Sequence, residues 1–334
     1  LNLELIWREL RNDPRAHATG VIRRRLRPES PCDLYLGVER PGDLPLLILT
    51  VPEEAIADLP HLPSSTGVET VISDGGHGRA DVTLRLADPR YTDIFETLAA
   101  DLIAAVDGVT GPDACAPAFI NRFLSWQRFL QRVGSEGLNS WAQMGLYGEL
   151  WFLKNHLLDW LPAERAVTSW TGPLGANQDF QPWAVGIEIK CTGTKLPLRV
   201  QINNERQLDG TGTVGLFLCV LTLDVRDGSE GTLPQIVGEL RSSLIASPPA
   251  ASGFDERLIT MGYLTAHESR YADRAYALRD VRMFRVGPGF PRIIESDVRA
   301  GVGDVRYSIG VSDCRPFTVE IGEVKTEVTE HASG

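Results

Sequence analysis

Several things are missing from this chain, and each absence removes a class of function. No run approaches about 18 uninterrupted apolar residues, so no membrane-spanning helix is expected. The opening stretch LNLELIWREL places acids and an arginine where a secretion signal needs an apolar core. Leu1 stands first in place of methionine, so the natural start is expected to lie upstream. The five cysteines (Cys32, Cys115, Cys191, Cys219, Cys314) are odd in number, scattered, and never spaced as Cys-x-x-Cys. That argues against a disulfide framework or zinc ribbon and for a reducing cytoplasm. The six histidines contain no His-x-x-x-His zinc pair. With no Gly-x-x-x-x-Gly-Lys phosphate loop, an ATP-driven step has to come from another protein. Positive charge is scarce as well. A net charge of −11 excludes a passive nucleic-acid coat, whose affinity comes from basic groups releasing counterions. It leaves room for an enzyme in which clustered acids sit among local basic strips.

What is present describes a globular protein. With 334 residues, 43% apolar and 23% charged, the chain can bury one large core or two ordinary ones. Residues 1 to about 87 are strand-rich: DLYLGVER, LPLLILTVP and RADVTLRLAD are separated by the turns PGD, LPSSTG and SDGGHG. The basic cluster Arg23, Arg24, Arg25 and Arg27 has two readings, a phosphate-backbone contact or a strand edge guarded by charge. From Pro89 the period becomes helical, with Phe95, Leu98, Ala99, Leu102, Ile103 and Val106 on one face. A second helix follows, its core side formed by Phe119, Ile120, Phe123, Leu124, Leu130 and Val133, until GSEG ends it. A domain boundary is expected between 88 and 135, and we draw it after residue 110.

Most of the chemistry lies between Gly145 and Gln207. From Ser140 to Trp160 a helical stripe reads Ala142, Leu146, Glu149, Phe152, Leu153, Leu157. Glu149 sits inside it, and a carboxylate among core positions is costly unless it is paired or holds a metal. A strand follows, VGIEIKCT. Alternation puts Val185, Ile187, Ile189 and Cys191 on one face, read as the buried one, and Gly186, Glu188 and Lys190 together on the other. Asp179 lies nine residues before Glu188, and the intervening QPWA suits a turn, so a hairpin would bring the two carboxylates together. A cation such as Mg2+ takes hard oxygen ligands and needs only one or two carboxylates beside water and substrate phosphate. Asp179, Glu188 and the main-chain carbonyl of Ile189 suit that role, and Glu149 could complete the shell directly or through water. Lys190 is then placed to orient or activate an attacking water and to offset phosphate charge.

Asp179, a short spacer and Glu188-Ile189-Lys190 resemble the Asp, Glu-x-Lys signature of the PD-(D/E)XK restriction-endonuclease-like superfamily, with Glu149 matching the acid of its first core helix. The segments GLYGELWFL, SWTGP, QDF, IEIKCT and NNERQL are similar to those of a bacterial family of PD-(D/E)XK members predicted to serve restriction or phage-defence loci, and the resemblance covers most of the chain. One departure stands out: Gln178 occupies the place of the motif's proline. The resemblance implies an α/β (α+β) fold with a restriction-endonuclease-like mixed central sheet flanked by helices. It implies a Mg2+-dependent DNA endonuclease, with Mn2+ able to substitute, and Gln207 as a residue supporting substrate or site. A helicase or ATPase, or a methyltransferase, of the same system is an expected partner, and a homo-oligomer is left open.

The remaining segments are read more plainly. LRVQI alternates, with Leu198, Val200 and Ile202 on one face, and Lys195, Arg199 and Arg206 bring positive charge near the site, either to hold phosphate or as ordinary surface. VGLFLCVLTLDV reads as a central strand buried on both faces. Thr232 caps a helix with Gln235 three residues on, and Leu233, Val237, Leu240 and Leu244 face inward. SPPAASG reads as a loop, and RLITMGYLTA, VRMFRV and VRYSIGV as short strands. GTGTVG matches Gly-x-Gly-x-x-Gly but precedes a strand, so it is read as a loop and not a dinucleotide site. Glu323-Val-Lys325 repeats Glu-x-Lys without a helical acid upstream and is taken as chance. The expected domains are a β-rich 1–110 of unknown role, a nuclease-like 111–325 and a frayed tail 326–334. The competing class is a catalytically inactive nuclease fold that binds DNA or partner proteins, in which Glu188 and Lys190 are only a same-face ion pair. A Schiff-base enzyme using Lys190 is disfavoured, because two adjacent acids keep the amine protonated.

Overall fold

Strict alternation builds the first sheet. In RADVTLRL every second side chain is buried, the pattern of a strand with one face on the core. Strands β1 (Gly20–Arg25), β2 (Asp33–Arg40), β3 (Leu44–Pro52), β4 (Val68–Gly76) and β5 (Arg79–Leu86) form an antiparallel sheet of order β1-β2-β3-β5-β4. The computed structural model describes residues 2–14, 18–56, 67–132 and 137–330, without the side chains of 125 and 127–132. It divides into two compact units, Leu1–Gly137 with Leu264–Ala266, and Leu138–Tyr263 with His267–Gly334.

The first unit begins with a helix that the strand-rich reading missed. In α1 (Leu3–Arg11) the Asn2 side chain caps the Leu5 N–H at 3.0 Å, and Trp7 is buried, its indole N–H donating to the Leu46 carbonyl. Helix α2 (Thr92–Asp107) buries all six residues of its expected stripe, and α3 (Cys115–Arg132) buries Phe119, Ile120 and Phe123. The side chain of Leu130, and Val133 with most of GSEG and LPSSTG, lie outside the described residues. Both helices belong with the sheet: Trp7 stacks near Phe95, and Cys32 is joined to Cys115 by a disulfide with Cα atoms 5.6 Å apart. Hence the unit extends to Gly137 and not to 110. One disulfide is present where the scattered cysteines argued against a disulfide framework; its partners are 83 residues apart, and only the fold brings them together. Arg23, Arg24, Arg25 and Arg27 pair with Asp81, Glu9, Asp33 and Asp107 on and beside the edge strand β1, an arrangement that fits the guarded-edge reading.

The second unit carries α4 (Ser140–Phe152), α5 (Leu158–Trp160), α6 (Ala163–Thr168), β6 (Val185–Thr192), β7 (Arg199–Ile202), β8 (Gly215–Asp227), α7 (Leu233–Leu244), α8 (Pro248–Met261), β9 (Arg274–Arg285), β10 (Tyr307–Gly310), β11 (Thr318–Val319) and α9 (Ile321–Glu330). Its mixed sheet has the order β11-β9-β8-β6, with β6 and β8 parallel and the other pairs antiparallel. β8 is central and buried on both faces, as its continuous apolar text requires. Paired residues share a face, so Val185, Ile187 and Ile189 look with Phe217, Cys219 and Leu221 into a core that includes α4 and α7. Gly186, Glu188 and Lys190 look with Leu216, Leu218 and Val220 into a second core beneath the β7–β10 ribbon. The strand therefore has two buried faces where the sequence pattern suggested one.

Three segments differ from expectation. Pro248 and Pro249 begin α8, where the missing N–H of proline costs nothing, so SPPAASG is largely the first turns of a helix. RLITM in the supposed strand RLITMGYLTA is the end of that helix, which Gly262 closes in the left-handed region (φ 94°). The tail expected to fray from 326 is helical to Glu330, with Val324 and Val328 buried, and 331–334 lie outside the described residues. Thr232 does cap α7, accepting from Gln235 N at 3.3 Å while the Gln235 side chain accepts from Gly231 N at 2.7 Å. Among the described residues no helix is long and apolar enough to cross a membrane.

One glycine sets how closely α4 meets β6. A Cβ at Gly148 would lie 2.2 Å from Cys191 Sγ and 3.5 Å from Ile189 Cγ2, whereas one at Gly145 would meet nothing within 4 Å. Gly148→Ala is expected to cost about 1–3 kcal/mol through overpacking. Gly145→Ala, on the same helix, should be neutral or stabilising by up to about 1 kcal/mol from helix propensity. Thermal unfolding of the two variants checks this, and equal midpoints would refute the close-approach argument.

Candidate active site

The site is assembled at the open edge of β6. Ile187 exchanges both of its backbone hydrogen bonds with Phe180, at 3.0 and 2.9 Å, which is the hairpin expected from QPWA, with Val185 N donating to Pro182 O at its turn. Two residues further along β6, the Ile189 N–H points to the same edge and finds no further strand. The Asp179 carboxylate takes it instead, Oδ2 accepting at 2.7 Å. N–H and C=O of one strand residue point to the same side, so the Ile189 carbonyl also faces this edge. Asp179 is itself held from behind, its carbonyl accepting from Thr171 N at 2.9 Å and Gly172 N at 3.0 Å.

Glu149 reaches the same edge from α4. The helix is capped at its start by Asn139, whose Oδ1 accepts from Trp141 N and Ala142 N, and just past Glu149 it widens into a π-helical stretch, Leu153–Leu157. Such widenings are frequent near functional sites. Glu149 is 8% exposed, and its Oε2 accepts from the buried Trp170 indole N–H at 2.7 Å. Trp170 is fixed in turn by Arg257, whose Nε donates to its carbonyl at 2.8 Å. Neither Trp170 nor Arg257 was singled out from sequence, although SWTGP lies in the stretch that carries the resemblance.

Glu188 and Lys190 share the other face of β6, as alternation requires. Lys190 Nζ lies 2.6 Å from Glu188 Oε1, and the two side chains are 12% and 0% exposed. The pair is thus interior. Glu188 Oε1 faces the Lys190 ammonium, while neither Glu188 oxygen meets full hydrogen-bond geometry with a donor among the described residues. Burial and the neighbouring Asp179 push the Glu188 carboxyl up to about 8, against the pull of Lys190. Burial and Asp179 push Glu149 well above the usual carboxylate range, partly countered by the Trp170 N–H. Burial raises Asp179, with Lys190 and the Ile189 N–H opposing. For Lys190, burial works to lower the ammonium, but Glu188 and Asp179 outweigh it and hold the group above its ordinary value.

Glu149, Asp179, Ile189 and Lys190 line a cleft of about 1050 Å³, together with Trp141 and Gly145 of α4, Arg199 and Gln201 of β7, and Arg306 just before β10, whereas Glu188 is buried and does not line it. Arg199 sits on Ser308, donating to its Oγ and carbonyl. Gln207 borders the cleft, but its side chain also accepts from Asn203 N at 2.8 Å, closing the turn after β7. Lys195 is exposed and does not line the cleft, and Arg206 pairs with Glu295. Arg306 and Trp141 were not found from sequence, because isolated charged and aromatic residues outside a periodic pattern give no signal. Gln178, where the motif has proline, is 2% exposed and ties Asp179's segment to the turn after β7. Its Nε2 donates to the carbonyls of Arg206, Gln207 and Asp209, and its Oε1 accepts from Gln181.

Do these residues suit a divalent cation? Among the described residues no group of three or more His, Cys, Asp or Glu side chains forms a ready metal cage, so Glu149 does not join Asp179 and Glu188 in a preformed three-acid set. A closed zinc-type site does not fit. A hard cation that takes one or two carboxylates and leaves its other positions to water and phosphate does fit: Asp179 stands at the sheet edge with the Ile189 carbonyl, within electrostatic reach of the buried Glu188 carboxylate that Lys190 holds.

Residues 3–312 match the family described as "Putative PD-(D/E)XK family member, (DUF4420)". No curated protein and no solved structure matches the chain.

The raised carboxyls give the metal-free protein a definite pH dependence. Between 4.5 and about 8 the folded state keeps a proton on Glu188 that the unfolded chain has released. Stability is therefore full below the lower value and is lost as pH rises through the upper one. The thermal midpoint in chelator should fall from pH 5 to pH 8.5, with a shallower slope in Glu188→Gln. A midpoint that rises over this range, or an unchanged slope in the variant, would contradict the assignment.

Proposed function

Because the chain belongs to this PD-(D/E)XK family, we propose that it is a Mg2+-dependent DNA endonuclease of a bacterial restriction or phage-defence system. The observation that carries the proposal is that Asp179, Glu149 and Lys190 line one cleft at the unfilled edge of β6, with the buried Glu188 paired to Lys190 behind them. On this reading Asp179, Glu188 and the Ile189 carbonyl hold the cation. Mg2+, or Mn2+ in its place, supplies polarisation of the phosphodiester, activation of water and neutralisation of developing charge when bound. Lys190 keeps its proton beside Glu188 and Asp179 and so orients the nucleophile and offsets phosphate charge as a cation, and it is not itself the base. Glu149, held by the Trp170 N–H, is the secondary acid that orders water at the cleft floor. Arg199 and Arg306 supply positive charge for the phosphate backbone. The natural substrate is cytoplasmic DNA, and a helicase, ATPase or methyltransferase of the same system is the expected partner, since the chain has no phosphate loop of its own.

A second reading, a nuclease fold retained only for binding DNA or partner proteins, is favoured by the complete burial of Glu188. Incubation of supercoiled plasmid with the protein and Mg2+ or Mn2+ separates the two. Nicking is expected, and Lys190→Ala and Glu188→Ala should each lower its rate on the order of 10²-fold or more. Nicking that persists undiminished in both variants would rule out this site. Plasmid left intact while DNA is still bound would favour the second reading.

A further inference from the structure

The Trp141 indole lies open to solvent. It is 78% exposed, the most exposed aromatic among the described residues, yet it stands on the wall of the cleft that holds Glu149, Asp179 and Lys190. Its place is fixed. The Asn139 side chain caps its backbone N–H at 3.1 Å, and it belongs to the same rigid helix as Glu149, eight residues and about 12 Å further along the axis. One turn on, Gly145 leaves open space where a Cβ would otherwise stand, so a planar group can lie beside the indole. Arg199 and Arg306 border the same cleft, and neither has an acidic partner among the described residues, unlike Arg23, Arg24, Arg25 and Arg27 of the first unit. An uncovered indole together with guanidinium groups that no carboxylate neutralises is the chemistry that receives a single nucleic-acid strand: the aromatic face stacks a base and the cations track its phosphates.

We propose that Trp141 is a base-stacking residue, and that the cleft takes a DNA strand with an unpaired base next to the bond to be cut, in single-stranded or locally opened DNA. The proposal rests on the nuclease reading and narrows its substrate. In a closed duplex every base face is covered by its neighbours, and the indole gains nothing. An unpaired base can leave the stack and lie against it.

Binding of end-labelled oligonucleotides by the full-length protein tests this, with Ca2+ replacing Mg2+ and ionic strength fixed. A single strand and the blunt duplex of the same sequence are compared. Trp141→Ala should weaken single-strand binding by about five- to one-hundred-and-fifty-fold and leave duplex binding nearly unchanged. Trp141→Phe, which keeps a ring, should recover most of the loss. Arg306→Ala should weaken both forms alike and reduce the salt slope by about one. Equal single-strand affinity for wild type and Trp141→Ala would overturn the stacking role and leave the nuclease reading intact. No binding of either DNA form by the wild type would remove both.

Discussion

The candidate site depends on a backbone ladder that stops one rung early. β6 is an edge strand, and the segment around Phe180 pairs with it at Ile187 alone. At the next rung the partner is not a main-chain carbonyl but the carboxylate of Asp179. A side chain in the place of a strand leaves that rung open to the cleft. There the Glu188–Lys190 pair on one face of β6 and Glu149 on the other come within electrostatic reach of one another.

The energetics of that opening follow from burial. Three carboxyls and one ammonium lie where water hardly reaches, and every carboxyl is raised by the loss of hydration before any neighbour is considered. One ammonium cannot satisfy three acids. On the proposed reading the deficit is the affinity for a cation: the ion takes the place of the protons that the acids otherwise keep, and its binding releases them. The fold holds the acids together at some cost to stability. Gly148 lets α4 approach the strand, Trp170 and Arg257 lock Glu149 from behind, and Gln178 ties the Asp179 segment to the turn after β7.

Much of this was legible in the sequence because it is periodic. Alternation in VGIEIKCT put Glu188 and Lys190 on one face, the turn-forming QPWA brought Asp179 beside the strand, and the helical stripe enclosed Glu149. The continuous apolar text of β8 correctly marked a central strand. What was hidden is non-local. Alternation cannot tell that the β7–β10 ribbon covers the Glu188 face, because that cover comes from strands more than a hundred residues apart. Nor can spacing pair Cys32 with Cys115, or tell that SPPAASG starts a helix, since Pro-Pro is equally at home in a loop and in a first helical turn. Trp141 and Arg306 acquire meaning only from the cleft they border.

The central claim is that Asp179 and Glu188 form one cation site at the edge of β6. Calorimetric titration of Mn2+ into the chelator-treated protein at pH 8, in two buffers of different ionisation enthalpy, tests it most directly. The account predicts saturable binding with proton release that is abolished in Asp179→Ala and unaffected in Lys195→Ala. Binding of equal strength in wild type and Asp179→Ala, or no binding to the wild type at all, would contradict it.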